Sequence, residues 1–353
     1  MSLRSEMSKI EPSCSRVSRY GQPVGRVMVR EATLLKRQQV ERMLHSDYRD
    51  ALGVTFDTVY GQYLEGAEVV ADIESGLERF LAEEYRFLDE TCSGTLVAEF
   101  MHLKYDFHNI RVLAKRHFMG DSGDERLYSS LGTVALESLE RALEVASSPG
   151  LPPRIEETVR LVRSAAERGE QTSQAIDTVI DRAYLKVRLK IAREEGSGSL
   201  EDLCRSAIDI ANLNILLRGL TLGKESSFYE AALVEGGKLP RKELLALAGQ
   251  PFSEVARKLL DSRYGRMLSE VLDRGTDRTR LTSLDRISDD YLMDKVNRFS
   301  RVSIGPERII RYMMTRETEV AMLRLILVGK LNQLSTGMIE SRLPDEYLKR
   351  AVG

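Results

Sequence analysis

Glu99 and His102 stand three residues apart and Asp106 follows four later, so on a helix all three share one face. An E-x-x-H pair is the ligand spacing of di-iron helical bundles, and Asp106 would extend that face by a turn. Such a site needs two of these motifs. The remaining histidines, His45, His108 and His117, do not supply a second one, and an ion pair on a helix face is the plainer reading. The stretch Gly219 to Ser226, G-L-T-L-G-K-E-S, has the outline of a phosphate-binding loop without its spacing. Three residues, where four are needed, separate the glycines, and Glu225 stands where Ser or Thr should follow the lysine. Gly223 therefore reads as a helix C-cap. There is no G-x-G-x-x-G, no G-x-S-x-G elbow and no His/Cys constellation with nucleophile spacing. No catalytic, cofactor-binding or metal-ligating residue is assigned.

The polar residues with the clearest pattern recur. Asp106, Asn109, Ile110, Leu113 and Gly120 are repeated at identical spacing by Asp209, Asn212, Leu213, Leu216 and Gly223. A degenerate third copy reads Arg316, Glu319, Val320, Leu323, with Gly329 one place early. Upstream of each copy a tyrosine follows acidic residues: Tyr85, Tyr184 and Tyr291. Residues three apart share a helical face, which places each pair beside an apolar stripe, at a core boundary. The functional reading is a catalytic or ligand carboxylate. The structural reading is a buried pair bonded to the neighbouring helix or its tyrosine, and recurrence favours it, because packing is needed once per module and chemistry is not. The terminal glycines fit helix ends closed by a residue with positive φ.

These pairs need helices to carry them, and the chain supplies them. Of nine prolines, none falls between Pro23 and Pro149 or between Pro153 and Pro240, and the long windows between are rich in Leu, Ala, Glu and Arg. Periodic apolar positions occur at Ile110, Leu113, Ala114 and His117, at Leu213, Leu216, Leu217 and Leu220, and at Val320, Leu323 and Leu327 with Arg324 interrupting. Turn signals fall at Gly120–Asp124, Ser147–Pro153, Gly196–Ser199, Gly236–Pro240, Gly249–Pro251, Asp273–Asp277 and Gly305–Pro306. Asn109, Asn212 and Glu319 are 103 and 107 residues apart. The fold class expected is all-α: a lead-in over 1–19, helical modules over 20–124, 125–230 and 231–347, and a tail over 348–353.

The 353 residues are 42% hydrophobic, enough for a large core or several modest ones. With 52 Lys plus Arg against 54 Asp plus Glu the net charge is -2, which disfavours nucleic acid or an anionic membrane surface as partner. Cys14, Cys92 and Cys204 are scattered and odd in number, as suits a reducing compartment. The longest apolar run, Leu244 to Gly249, is far short of the roughly 18 residues a membrane span needs. The N-terminal stretch lacks the apolar segment of a secretory signal.

At Tyr291 to Leu334 the combination of S-I-G-P-E, R-E-T-E-V and L-R-L-I-L-V-G-K-L resembles the closing segment of the C subunit of archaeal-type and vacuolar-type rotary ATPases, a relative of the eukaryotic vacuolar d subunit. Asp106 to Gly120 and Asp209 to Gly223 resemble that family's D-x-x-N helices, Asp181 to Tyr184 its second tyrosine segment, and Arg30 to Leu44 with Val59 to Gly61 its N-terminal region. The resemblance runs from Tyr20 to Tyr347; Glu90 to Gly94 and Glu225 to Gly237 depart from it. It implies a three-lobed funnel of pseudo-threefold symmetry and a non-catalytic central-stalk role in an ATP synthase or ATPase. The implied partners are the shaft subunits D and F and the cytoplasmic loops of the c/K-type proteolipid rotor ring. No nucleotide, cofactor or nucleic acid is bound in such a role, no segment spans the membrane, and the complex sits peripherally on the cytoplasmic face. Torque would serve proton or sodium transport. Two other readings compete: a helical-repeat scaffold, whose usual period of about 20 to 50 residues is too short, and a metalloenzyme using Glu99, His102 and Asp106.

Overall fold

The computed structural model describes residues 4–120, 127–145, 150–273 and 277–343. Parts of the turns expected at Gly120–Asp124, Ser147–Pro153 and Asp273–Asp277, and the expected tail over 348–353, lie outside the described residues. Among the described residues the chain is helical with no β-strand. In chain order the helices are α1 (Arg4–Glu31), α2 (Arg37–His45), α3 (Tyr48–Phe56), α4 (Gly61–Leu64), α5 (Val70–Thr91), α6 (Leu96–Met119), α7 (Leu136–Glu144), α8 (Pro153–Glu167), α9 (Ser173–Glu194), α10 (Gly198–Thr221), α11 (Ser226–Ala232), α12 (Arg241–Ala246), α13 (Phe252–Lys258), α14 (Gly265–Leu272), α15 (Asp277–Asn297), α16 (Pro306–Leu331) and α17 (Thr336–Glu340). The expected lead-in over 1–19 falls within α1 from Arg4 onward. That helix runs through Pro23, which is buried.

The chain divides into two compact units, Met1–Ala98 with Asp289–Gly353, and Glu99–Ser288. It leaves the first within α6 and returns to it within α15. In the first unit α16 packs against α5, α1, α3 and α17. Pro306 occupies the first helical turn of α16, where a missing N–H costs nothing, with Glu307 in that turn and Lys330 in the last, both favourable to the helix dipole. Its stripe of Val320, Leu323, Ile326 and Leu327 enters one apolar cluster with Val40, Met43, Leu44, Leu77 and Phe80. Burying such a stripe, at about 1.5–3 kcal/mol per large side chain, outweighs local helix propensity. Arg324, which interrupts the stripe, is half-buried and pairs with Glu74 at 2.6 Å.

In the second unit α9 packs between α8 and α10, and α10 also meets α11 and α13. Ser197 caps α10 by accepting from Leu200 N–H at 3.0 Å, and Thr172 caps α9 by accepting from Ala175 N–H at 3.2 Å. Ile208, Leu213, Leu216 and Leu217 of α10 are buried, as are Ile110, Leu113 and Ala114 of α6; His117 is exposed and Leu220 half-buried, so each periodic stripe fades at its C-terminal end. Helix α6 closes at Gly120 (φ +69) and α10 at Gly223 (φ +62), as the repeat required. The third copy differs: Gly329 lies inside α16, and the left-handed residue after the helix is Gln333 (φ 57). The same backbone bond closes both turns, Lys224 N–H to Gly219 C=O and Leu334 N–H to Gly329 C=O, each at 2.9 Å. Gly329 thus matches Gly219, and α16 is longer than α10 between its polar pair and its end.

Candidate functional site

The D-x-x-N pairs of α6 and α10 bond mainly to backbone outside the helices. On α6, Asn109 clamps the backbone of Ser129, donating from Nδ2 to its C=O at 3.0 Å and accepting its N–H on Oδ1 at 2.8 Å. On α10, Asn212 does the same to Val234, at 2.8 and 2.7 Å. An amide side chain carries one donor edge and one acceptor edge, so it satisfies both polar groups of one residue, as a strand neighbour would. Asp106 then accepts from the N–H groups of Thr133 (2.6 Å) and Val134 (3.1 Å) and from the Thr133 hydroxyl. Asp209 accepts from the N–H groups of Lys238 (2.9 Å) and Leu239 (3.0 Å). Each helix therefore holds a strap of turns and bends, 129–134 or 234–239, that has no helix or strand to pair most of its backbone.

A glycine lets each strap approach. A Cβ at Gly132 would stand 2.6 Å from Asn109 Nδ2, and one at Gly237 would collide with the Asp209 carboxylate. The first strap has one more holder, His102, whose Nδ1 lies 2.7 Å from Leu131 C=O; His108 Nε2 lies 2.8 Å from the C=O of Leu127, just before the strap. Glu99 pairs with Arg154. The three candidate metal ligands thus turn to three different partners, and among the described residues no cluster of three or more His, Cys, Asp or Glu side chains is placed to hold a metal ion.

The third copy is ionic. Arg316 and Glu319 of α16 are 1% and 0% exposed and pair at 2.8 Å. Glu319 accepts the N–H of Leu35 and, at 2.6 Å, the hydroxyl of Tyr60; Arg316 donates to the carbonyls of Thr33 and Arg30. The segment held here, 30–35, begins in the last two residues of α1. Burial pushes the Tyr60 phenol well above its ordinary value, with Glu319 beside it adding to the rise. For Arg316, burial works against the charged form, and the neighbouring Tyr60, Glu319 and Tyr312 outweigh it, so the guanidinium stays ionised. Tyr312, also pushed up by burial, donates to Glu84 at 2.6 Å, and Glu84 pairs with Arg30 at 2.8 Å. Each of these charges has a partner, the condition for burying it at all.

The three upstream tyrosines turn elsewhere. Tyr85 donates to Glu317, Tyr184 packs on Phe107 at 5.4 Å, and Tyr291 lies under the Lys295 ammonium at 5.7 Å. The tyrosines that reach the repeat carboxylates are Tyr60 and Tyr264, whose hydroxyl donates to Asp209 at 2.6 Å. They stand in D-T-V-Y-G (57–61) and D-S-R-Y-G (261–265), a five-residue echo present in the sequence and missed because it lies outside the periodic helices. A cavity of about 500 Å³ in the second unit has Leu185, Ile215, Leu222 and Phe228 in its walls. Its arginines are engaged, Arg218 with Asp285 at 2.5 Å and Arg182 with the Ala231 carbonyl. No helix among the described residues is long and apolar enough to cross a membrane.

Comparison with known proteins matches residues 23–342 to the family model described as ATP synthase (C/AC39) subunit. The C subunit of the V-type sodium ATPase of Enterococcus hirae is 26% identical over 320 residues, covering 90% of this chain and 96% of that protein. The C subunit of the A-type ATP synthase of Methanocaldococcus jannaschii is 25% identical over 347 residues, covering 92% and 86%. That of Thermococcus gammatolerans is 25% identical over 323 residues, covering 86% and 84%.

Proposed function

The chain belongs to the ATP synthase (C/AC39) subunit family, and on that footing we propose that it is a non-catalytic rotor subunit of an A/V-type ATP synthase or ATPase. In this reading it joins the shaft subunits D and F to the proteolipid ring on the cytoplasmic face of the membrane and passes torque between them. The observation that carries the reading is the match along nearly the whole chain to a family of ATP synthase subunits, with relatives aligned over most of their own length. The three lobes of a pseudo-threefold funnel belong to the same proposal.

The side-chain chemistry supports it. A part that carries torque must resist shear, and stiffness comes from close-packed apolar stripes and from backbone polar groups with no freedom to exchange partners. The buried polar residues Asp106, Asn109, Asp209, Asn212, Arg316 and Glu319 are all spent on fixing straps against helices. None of the six lines the cavity of about 500 Å³ in the second unit.

The test is affinity purification of the tagged chain from detergent-solubilised membranes of its host, with mass spectrometry of what is retained. Recovery of the catalytic subunits, shaft and ring together, and loss of the ring from the assembly when the chain is deleted, is the expected result. Recovery of the chain alone from the soluble fraction would sink the proposal.

A further inference from the structure

The modules built on α10 and α16 share more than their polar pairs. Each helix ends in the turn closed by Lys224 N–H to Gly219 C=O or Leu334 N–H to Gly329 C=O. Ten residues after that glycine a buried side chain of a short helix lies against it, Tyr229 of α11 on Gly219 and Ile339 of α17 on Gly329. Four residues further a leucine is buried, Leu233 at 1% and Leu343 at 0% exposure. In the second unit the chain then runs directly into the strap held by Asn212 and Asp209, then α12, α13, the D-S-R-Y-G turn and α14.

The α16 module finds the same parts far earlier in the chain. Its strap is followed by α2, α3, the D-T-V-Y-G turn and α4. The two turns agree bond for bond. Thr58 Oγ1 donates to Thr55 C=O and Ser262 Oγ to Leu259 C=O, both at 2.6 Å. Tyr60 N–H donates to Thr58 Oγ1 and Tyr264 N–H to Ser262 Oγ, both at 3.2 Å. Both phenols then donate to the carboxylate on the module's long helix at 2.6 Å.

We infer that residues 30–64 are the second half of the module that α16 and α17 begin, so two segments far apart along the chain fasten to each other in a clasp that opens as one unit. In the second unit peptide bonds join the two halves; in the clasp only side-chain contacts do. Lys330 caps α2 by donating to the carbonyls of Leu44 and Ser46, and Ile339 and Leu343 share the apolar cluster of Val40 and Met43. Removing either segment would leave buried polar groups of the other unpaired, which makes partial opening costly and joint opening the cheaper route.

The experiment is hydrogen exchange by mass spectrometry on the full chain as wild type, Tyr60→Phe and Tyr264→Phe. With Tyr60→Phe, segments 33–64 and 334–343 should exchange faster together, by about tenfold, while 226–265 keeps its wild-type rate. With Tyr264→Phe the acceleration should fall on 226–265 and spare both clasp segments. If Tyr60→Phe speeds 33–64 and leaves 334–343 unchanged, the segments are not one unit and the inference is wrong. Should a variant not fold, wild type in sub-denaturing urea decides. There, 33–64 and 334–343 must share one opening free energy distinct from that of 226–265, and separate values for the two segments overturn the clasp.

Discussion

One amide side chain clamps both backbone groups of one residue in each of two straps, and the cost of losing it depends on whether water can take its place. Val234 is buried and Ser129 only half-buried. Asn212→Leu leaves a buried N–H and C=O unpaired and should destabilise the protein by about 2–4 kcal/mol; Asn109→Leu, where water reaches the strap, should cost about half that. Urea denaturation of both variants tests the order as well as the size, and equal losses would refute the solvent argument. Cys204 offers a pH readout. Burial pushes its thiol from an ordinary 9.0 up to about 11. Below about pH 9 both folded and unfolded states hold the proton and stability is unaffected. Between 9 and 11 the unfolded state releases it while the folded state does not, so stability falls with rising pH, by up to about 3 kcal/mol. Cys204→Ala should lose that increment of alkaline sensitivity in urea midpoints at pH 8 and pH 10.5.

At the scale of elements, the helix ends separate copies that share a pattern. Gly223 and Gln333 occupy the same left-handed position after their helices, at φ +62 and 57. A side chain there is strained, so Gln333→Gly should stabilise by about 1 kcal/mol and Gly223→Ala should destabilise by a similar amount, both read as shifts in thermal midpoint. Opposite signs are the point of the comparison. The strap glycine gives a harsher test. Gly237→Ala pushes a methyl group into the Asp209 carboxylate, and we expect a loss of about 1–3 kcal/mol, the range for forcing extra atoms into a packed site. Near-neutral behaviour in chemical denaturation would mean the strap can move away, and so is not clamped.

For the whole molecule, the rotor reading makes a functional prediction. Membranes from a host lacking this chain should retain ATP hydrolysis by the catalytic subunits but lose ATP-driven ion transport, measured as a collapsed pH or sodium gradient in inverted vesicles. Transport that persists without the chain would remove it from the path of torque.

Much of this was legible from residues in a line. Helix class followed from proline spacing and the apolar periods, because i to i+4 neighbours are set by local geometry alone. The D-x-x-N recurrence at Asp106 and Asp209 was legible for the same reason: one helical face fixes its spacing. What those residues hold was not. Their partners are mostly backbone N–H and C=O groups, which nearly every residue carries, so Ser129, Val234 and Leu35 announce nothing by type. The tyrosines were misplaced for a related reason. Tyr85, Tyr184 and Tyr291 stand at the right distance along the chain, yet the hydroxyl that reaches Glu319 comes from Tyr60, 259 residues away. The residue types and their helical faces were determined by the sequence itself. Only tertiary structure decided which strap meets which helix, and that residues 30–64 meet residues 306–343, because such pairings are settled by joint burial of surfaces that have no fixed separation along the chain.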